Sequence, residues 1–131
     1  MSAPTVLVVD DEPLVRWSVA ETLGDHGYQV MTVANAAAAM SAMAGPGQPP
    51  DVVLLDLWLA DRNDLGVLSA MQRLSPRTKI VLITAYGSEA LFEEARRRGA
   101  FDSLDKPVEM SALAPLVARA LAVQAESTSL Y

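Results

Sequence analysis

The chain has 131 residues, 51% hydrophobic and 20% charged, with 16 acidic against 10 basic side chains for a net charge of −6. That is enough chain for one domain with a real core, and too acidic for a general nucleic-acid binder or for attraction to an anionic membrane surface. No cysteine is present, which excludes disulfides, thiolate zinc sites, iron–sulfur clusters and a cysteine nucleophile.

The lone His26 builds neither a histidine-based metal site nor a Ser-His-Asp triad with a separate oxyanion histidine. It falls in Gly-Asp-His-Gly-Tyr and reads as a solvated turn residue. No stretch approaches the ~20 apolar residues that span a bilayer. The start, MSAPTVLVVDDEP, lacks a basic segment before its short apolar run, so it does not read as a signal peptide. The expectation is a cytoplasmic protein.

In chain order, short apolar runs occur at Thr5–Val9, Tyr28–Val33, Val52–Leu55, Ile80–Thr84 and Phe101–Leu104. The first, third and fourth are continuously apolar and rich in Val and Ile, as strands covered on both faces of a parallel sheet are. Segments of helical composition separate them. Five strands alternating with five helices imply right-handed crossovers and a doubly wound α/β fold.

The helix signals agree. Pro13 suits a first helical position. Asn35 precedes the alanine-rich AAAAMSAMA and Gly45 closes it. Gly45–Pro50 is a turn-rich connection. Gly87-Ser88 opens a fourth helix that ends in Arg96, Arg97, Arg98 and Gly99; three cations there oppose the helix dipole, or alternatively form a partner patch. The last helix starts near Glu109 or Ser111, with Pro115 in its second turn or marking a later start. No internal repeat is present. The domain is expected over residues 1–123, with Gln124–Tyr131 as a frayed polar tail.

Asp10 and Asp11 end strand one, Asp56 ends strand three, Thr84 ends strand four and Lys106 follows strand five. In an open α/β sheet, ligands bind outside the carboxyl ends of the strands at the switch point of the winding. Converging carboxylates repel one another, and a divalent cation relieves this. Hard oxygen ligands suit Mg²⁺. An aspartate beside Mg²⁺ can attack a phosphoryl donor. Lysine and threonine then serve the phosphoryl oxygens.

With these residues placed, VLVVDDEPLVR, DVVLLDL, VLITAYGS and GAFDSLDKP, in this order and spacing, resemble the receiver domain of two-component response regulators. The resemblance runs from about Val6 to Leu121. Its TAYGS and GAFDxLDKP strings look most like receivers of bacterial enhancer-binding transcription activators. The resemblance implies a flavodoxin-like receiver fold with strand order 2-1-3-4-5. It implies that Asp56 is the phosphoacceptor, that Asp11 binds Mg²⁺ directly and Asp10 mainly through water, and that the Trp58 backbone carbonyl is a further metal ligand. Thr84 becomes the switch hydroxyl, Lys106 the phosphoryl-contacting lysine, and Lys106-Pro107 a cis peptide.

Three departures stand out. The proline four residues after the phosphoacceptor and the glycine eight after it are replaced by Ala60 and Asp64, so the loop is expected to be less rigid. Asp64 is a candidate cap for helix three. Ser103 replaces the usual Tyr or Phe three residues before the lysine, and an aromatic rotamer switch cannot operate at a serine; Tyr86 is a candidate substitute. Trp58 is either packing against a neighbouring loop or a lid over the phosphoryl site.

The expected function is a phosphorylation-driven switch, phosphorylated by a histidine kinase or phosphotransfer protein and acting on an output protein or domain. It would catalyse only its own phosphotransfer and autodephosphorylation. The apolar residues Leu113, Leu116, Val117 and Leu121, with the resemblance, suggest homodimerisation through helix four, strand five and helix five. No direct nucleic-acid or membrane contact is expected. The competing reading is a pseudo-receiver, a phosphorylation-independent interaction module. A phosphatase of the haloacid dehalogenase type is rejected, because its general acid/base position holds Trp58. The sequence reads equally as a stand-alone receiver or as part of a longer regulator.

Overall fold

The computed structural model describes residues 3–129, with side chains described through residue 123. Five strands, β1 (Thr5–Val9), β2 (Gln29–Val33), β3 (Val52–Asp56), β4 (Lys79–Thr84) and β5 (Ala100–Asp105), alternate with five helices: α1 (Pro13–Asp25), α2 (Ala36–Ala44), α3 (Gly66–Leu74), α4 (Glu89–Arg97) and α5 (Met110–Ser129). All strands pair in parallel, in the order β2-β1-β3-β4-β5.

Side-chain alternation along the strands splits the core in two. Leu7, Val9, Val53, Leu55, Ile80 and Leu82 bury against Ala39, Met43, Leu68 and Met71 of α2 and α3. Val6, Val8, Val52, Leu54, Val81 and Ile83 bury against Val19, Leu23, Leu113, Leu116 and Val117 of α1 and α5. Both faces of the three central strands are therefore covered, which is why Val6–Val9, Val52–Leu55 and Ile80–Ile83 are apolar at every position. The edge strand β2 is largely exposed.

The expected caps form. Asn35 Oδ1 accepts from the Ala38 N–H at 2.8 Å, and Ser88 Oγ accepts from the Leu91 N–H at 3.1 Å. Pro13 stands in the first turn of α1. Gly99 follows α4 with φ of +108°, a conformation that favours glycine. The three arginines at the end of α4 pair with its own acids: Arg96 with Glu93, Arg97 and Arg98 with Glu94. His26 is an exposed turn residue after α1, its Nδ1 2.9 Å from the Thr22 carbonyl. The Lys106-Pro107 peptide is cis.

α5 continues to Ser129, so the polar segment Gln124–Ser129 extends the last helix; Ala, Gln and Glu favour that state. Leu130 and Tyr131 lie outside the described residues. Leu113, Leu116 and Val117, read as part of a dimer face, are buried in this chain's own core. The loop after Asp56 carries a contact of its own. Asp61 accepts from the Ala36 and Ala37 N–H groups at 2.9 and 3.0 Å, docking the loop on the start of α2. These donors also hold the Asp61 carboxyl below the usual carboxylate range. No non-glycine residue of the described chain has positive φ, so Asp64 replaces glycine without strain.

Candidate functional site

The register explains the assembly of the site. Val9 pairs with Leu55, Leu55 with Leu82, and Thr84 with Asp105. The residues that end or follow these strands therefore emerge together at the carboxyl edge, where β1 and β3 diverge to β2 and β4. Backbone bonds extend the ladders past the strands: Leu57 N–H to the Ile83 carbonyl at 3.0 Å, and Lys106 N–H to the Thr84 carbonyl at 2.8 Å.

Asp10, Asp56 and Thr84 are buried, at 4%, 4% and 0% exposure. Each of Asp10, Asp11, Glu12 and Asp56 brings one carboxylate oxygen to a cluster whose atoms lie within 4.8 Å of one another. The Lys106 ammonium enters this cluster, 3.0 Å from Asp10 Oδ2, 2.7 Å from Glu12 Oε1 and 3.4 Å from Asp56 Oδ2. Asp10 is further fixed because its Oδ1 accepts from the Glu12 N–H at 2.9 Å and its carbonyl accepts from Arg16 Nη1 at 2.7 Å.

The electrostatics follow from crowding. Burial, and next the charge of Asp10, push the Asp56 carboxyl above its ordinary value; Lys106 and the Trp58 N–H oppose this only in part. Burial works against the Lys106 ammonium. Hydrogen bonds to Glu12 and Asp10 and the charges of Asp56 and Asp10 outweigh it, so the lysine is held more firmly protonated than usual. A surplus of negative oxygen ligands over one ammonium is a donor set that fits a hard divalent cation such as Mg²⁺.

Two loops carry the flanking residues. The Trp58 N–H donates to Asp56 Oδ1 at 3.2 Å, and the Tyr86 N–H donates to Thr84 Oγ1 at 3.1 Å. Their rings meet edge to face, with centroids 5.7 Å apart and planes at 89°. The Trp58 ring thus packs against a neighbouring loop, and the pair joins the segments that follow Asp56 and Thr84. Ser103 lies apart from this cluster. It lines a cavity of about 300 Å³ between α4 and β5, with Phe92 and Phe101 among its walls.

Three contributions were not legible beforehand. Glu12 joins the cluster through Lys106, 94 positions away in sequence. Asp61 anchors the loop. Leu14 and Trp17, three apart on the helix that follows Glu12, are exposed at 78% and 64%; their apolar i, i+3 spacing was the available signal.

Comparison with known proteins gives a consistent result. The response regulator protein PilR of Pseudomonas aeruginosa is 38% identical over 121 residues, which cover 92% of this chain and 27% of PilR. NtrX of Azorhizobium caulinodans and AtoC of Escherichia coli are 35% and 34% identical. The chain spans about a quarter of the length of these curated relatives. Among solved structures, a CheY-like receiver domain protein from Methanospirillum hungatei superposes with a TM-score of 0.90 at 25% identity, over 96% of this chain and 99% of that one. A response regulator from Burkholderia pseudomallei, solved with a phosphorylated aspartic acid, a calcium ion and citrate, gives 0.78 at 30% identity, over 95% and 72%. The pattern of the response regulator receiver domain matches residues 6–118, and the chain belongs to that family.

Proposed function

We propose that this receiver is a phosphorylation-driven switch in which Asp56 accepts a phosphoryl group. The observation that carries the reading is the convergence of Asp10, Asp11, Asp56 and Lys106 at one sheet edge. The likeness to the Burkholderia regulator, solved with a phosphorylated aspartic acid and a calcium ion, supports it. Asp11 and Asp56, with Asp10 through water and the Trp58 carbonyl, would hold Mg²⁺. When bound, the ion neutralises the phosphoryl oxygens and lowers the repulsion an attacking carboxylate meets.

The chain's own residues do the rest. Asp56 is ionised to attack, and Lys106 favours that state. A carboxylate oxygen of Asp56 forms a bond to phosphorus while the bond from phosphorus to the donor breaks, and the donor group leaves with that electron pair. Lys106 then neutralises a phosphoryl oxygen. Thr84 exchanges its bond from the Tyr86 N–H for one donated to the phosphoryl group. That exchange loosens the segment leading into α4.

The phosphate donor is a histidine kinase or phosphotransfer protein, and Leu14 and Trp17 offer it an apolar surface. The output is a partner protein or domain. The chain catalyses only its own phosphotransfer and dephosphorylation. The pseudo-receiver remains the second reading because Ser103 stands three residues before Lys106, where the resemblance places an aromatic ring.

Incubation with acetyl phosphate and Mg²⁺, followed by intact mass measurement, tests the reading. One phosphate adduct is expected on the wild type and none on Asp56→Asn. No adduct on the wild type favours the pseudo-receiver instead, and an undiminished adduct on the variant removes Asp56 as the acceptor.

A further inference from the structure

Glu12 is the N-cap residue of α1, yet its side chain makes no capping bond. Pro13, which lacks an N–H, occupies the first helical position. The carboxylate reaches instead to Lys106 Nζ at 2.7 Å, the shortest of the three contacts that ammonium makes. The three partners differ in kind. Asp10 and Asp56 are almost fully buried, whereas the Glu12 side chain is 59% exposed.

A lysine ammonium has three donors and one compact charge. Held by Asp10 and Asp56 alone, it would occupy the oxygens that a divalent cation needs and would repel that cation at close range. Glu12 gives the ammonium a partner on the solvent side of the cluster. We propose that Glu12 is a positioning residue: it draws Lys106 toward the rim, so that a divalent cation takes Asp10, Asp11 and Asp56 without displacing the lysine. The proposal rests on the metal-binding part of the function proposed above. It predicts that Glu12 strengthens cation binding through Lys106, not by ligating the ion.

The test is a titration with Mg²⁺ alone, followed by amide chemical shifts of the intact chain, on wild type, Glu12→Gln, Glu12→Asp, Lys106→Met and the Glu12→Gln/Lys106→Met double variant. The same spectra show whether each variant is folded. Substitution of residues that orient metal ligands lowers affinity by about 10-fold at the low end of the usual range. A loss of that order is expected in Glu12→Gln. Glu12→Asp, which keeps the charge but falls a methylene short of Lys106, should lose affinity as well. In the Lys106→Met background, Glu12→Gln should change affinity less than about 2-fold, because the coupling partner is gone.

Full affinity in Glu12→Gln or in Glu12→Asp overturns the proposal. So does a loss that persists undiminished without Lys106, which would make Glu12 a ligand or a simple field source. If Lys106→Met does not fold, Lys106→Gln with and without Glu12→Gln supplies the same comparison. Absence of Mg²⁺ binding in the wild type overturns the metal reading itself.

Discussion

The edge-to-face contact between Trp58 and Tyr86 predicts a slow loss of phosphate. An aspartyl phosphate at Asp56 is hydrolysed by water attacking phosphorus opposite the aspartate oxygen. The two rings belong to the loops that follow Asp56 and Thr84, and neither carries a carboxylate or amide to orient that water. An aromatic pair of this geometry contributes about 0.5–1.5 kcal/mol beyond the area it buries. If water enters only when the rings part, that energy sets the open fraction, and removing one ring accelerates hydrolysis about 2- to 13-fold. The anchoring of the intervening loop by Asp61 acts in the same direction, since it limits other routes of opening. Tyr86→Ala removes the partner ring. Trp58→Asn removes the other and supplies a water-orienting amide, while the backbone N–H that bonds Asp56 is kept. The chain is phosphorylated with acetyl phosphate, freed of donor, and the decay of the adduct followed by mass. Both variants should decay faster than wild type, Trp58→Asn the more so. If neither does, the aromatic pair is packing only and the gating argument is wrong.

Other outcomes follow from the same geometry. With Trp17→Phe isolating Trp58, Mg²⁺ should change the tryptophan emission, and Asp11→Ala should abolish most of that response; an undiminished response removes Asp11 from the ligand set. Burial and Asp10 raise the Asp56 carboxyl, so the folded chain disfavours its charged form. That penalty is absent below the ordinary carboxylate range and grows as pH rises through the raised value. Metal-free Asp56→Asn should therefore melt higher than wild type at pH 7, with the gain shrinking toward acid; thermal melts across pH check this. At Gly87 an added Cβ would run into the Phe92 ring and the Asp105 carboxylate. Both are the far ends of side chains that can shift, so Gly87→Ala should lose no more than about 1 kcal/mol in denaturant unfolding, and a larger loss would show that the two side chains are locked in place. A stable dimer interface needs about 1,200 Å² with an apolar centre. The exposed large apolar residues include Leu14, Trp17, Trp58 and Tyr86, but on α4, β5 and α5 only Val123 among the described residues. Light scattering with a beryllofluoride mimic should give a monomer mass, and a dimer mass would show that phosphorylation creates the missing patch.

What the sequence determined by itself was the layered frame and the ends of its strands. Runs such as Val52–Leu55 are apolar at every position because both faces are covered, and that signal is local. Asp10, Asp56, Thr84 and Lys106 were legible for the same reason: a strand's end marks the sheet edge whatever the rest of the chain does. Cap residues such as Asn35 and Ser88 act within three positions of themselves and could also be read directly. Tertiary structure alone decided which distant residues meet there. Glu12 looks like one more acid beside Asp11 until α1 and the turn before α5 bring it to Lys106. Asp61 looks like loop polarity until the start of α2 lies against it. Leu113, Leu116 and Val117 look like a face for a partner until α5 packs on the sheet. Apolar periodicity shows that a face is buried, but not against what. Likewise a carboxylate's partner is set by a few ångströms of packing between elements far apart in the chain, and no local pattern records that distance.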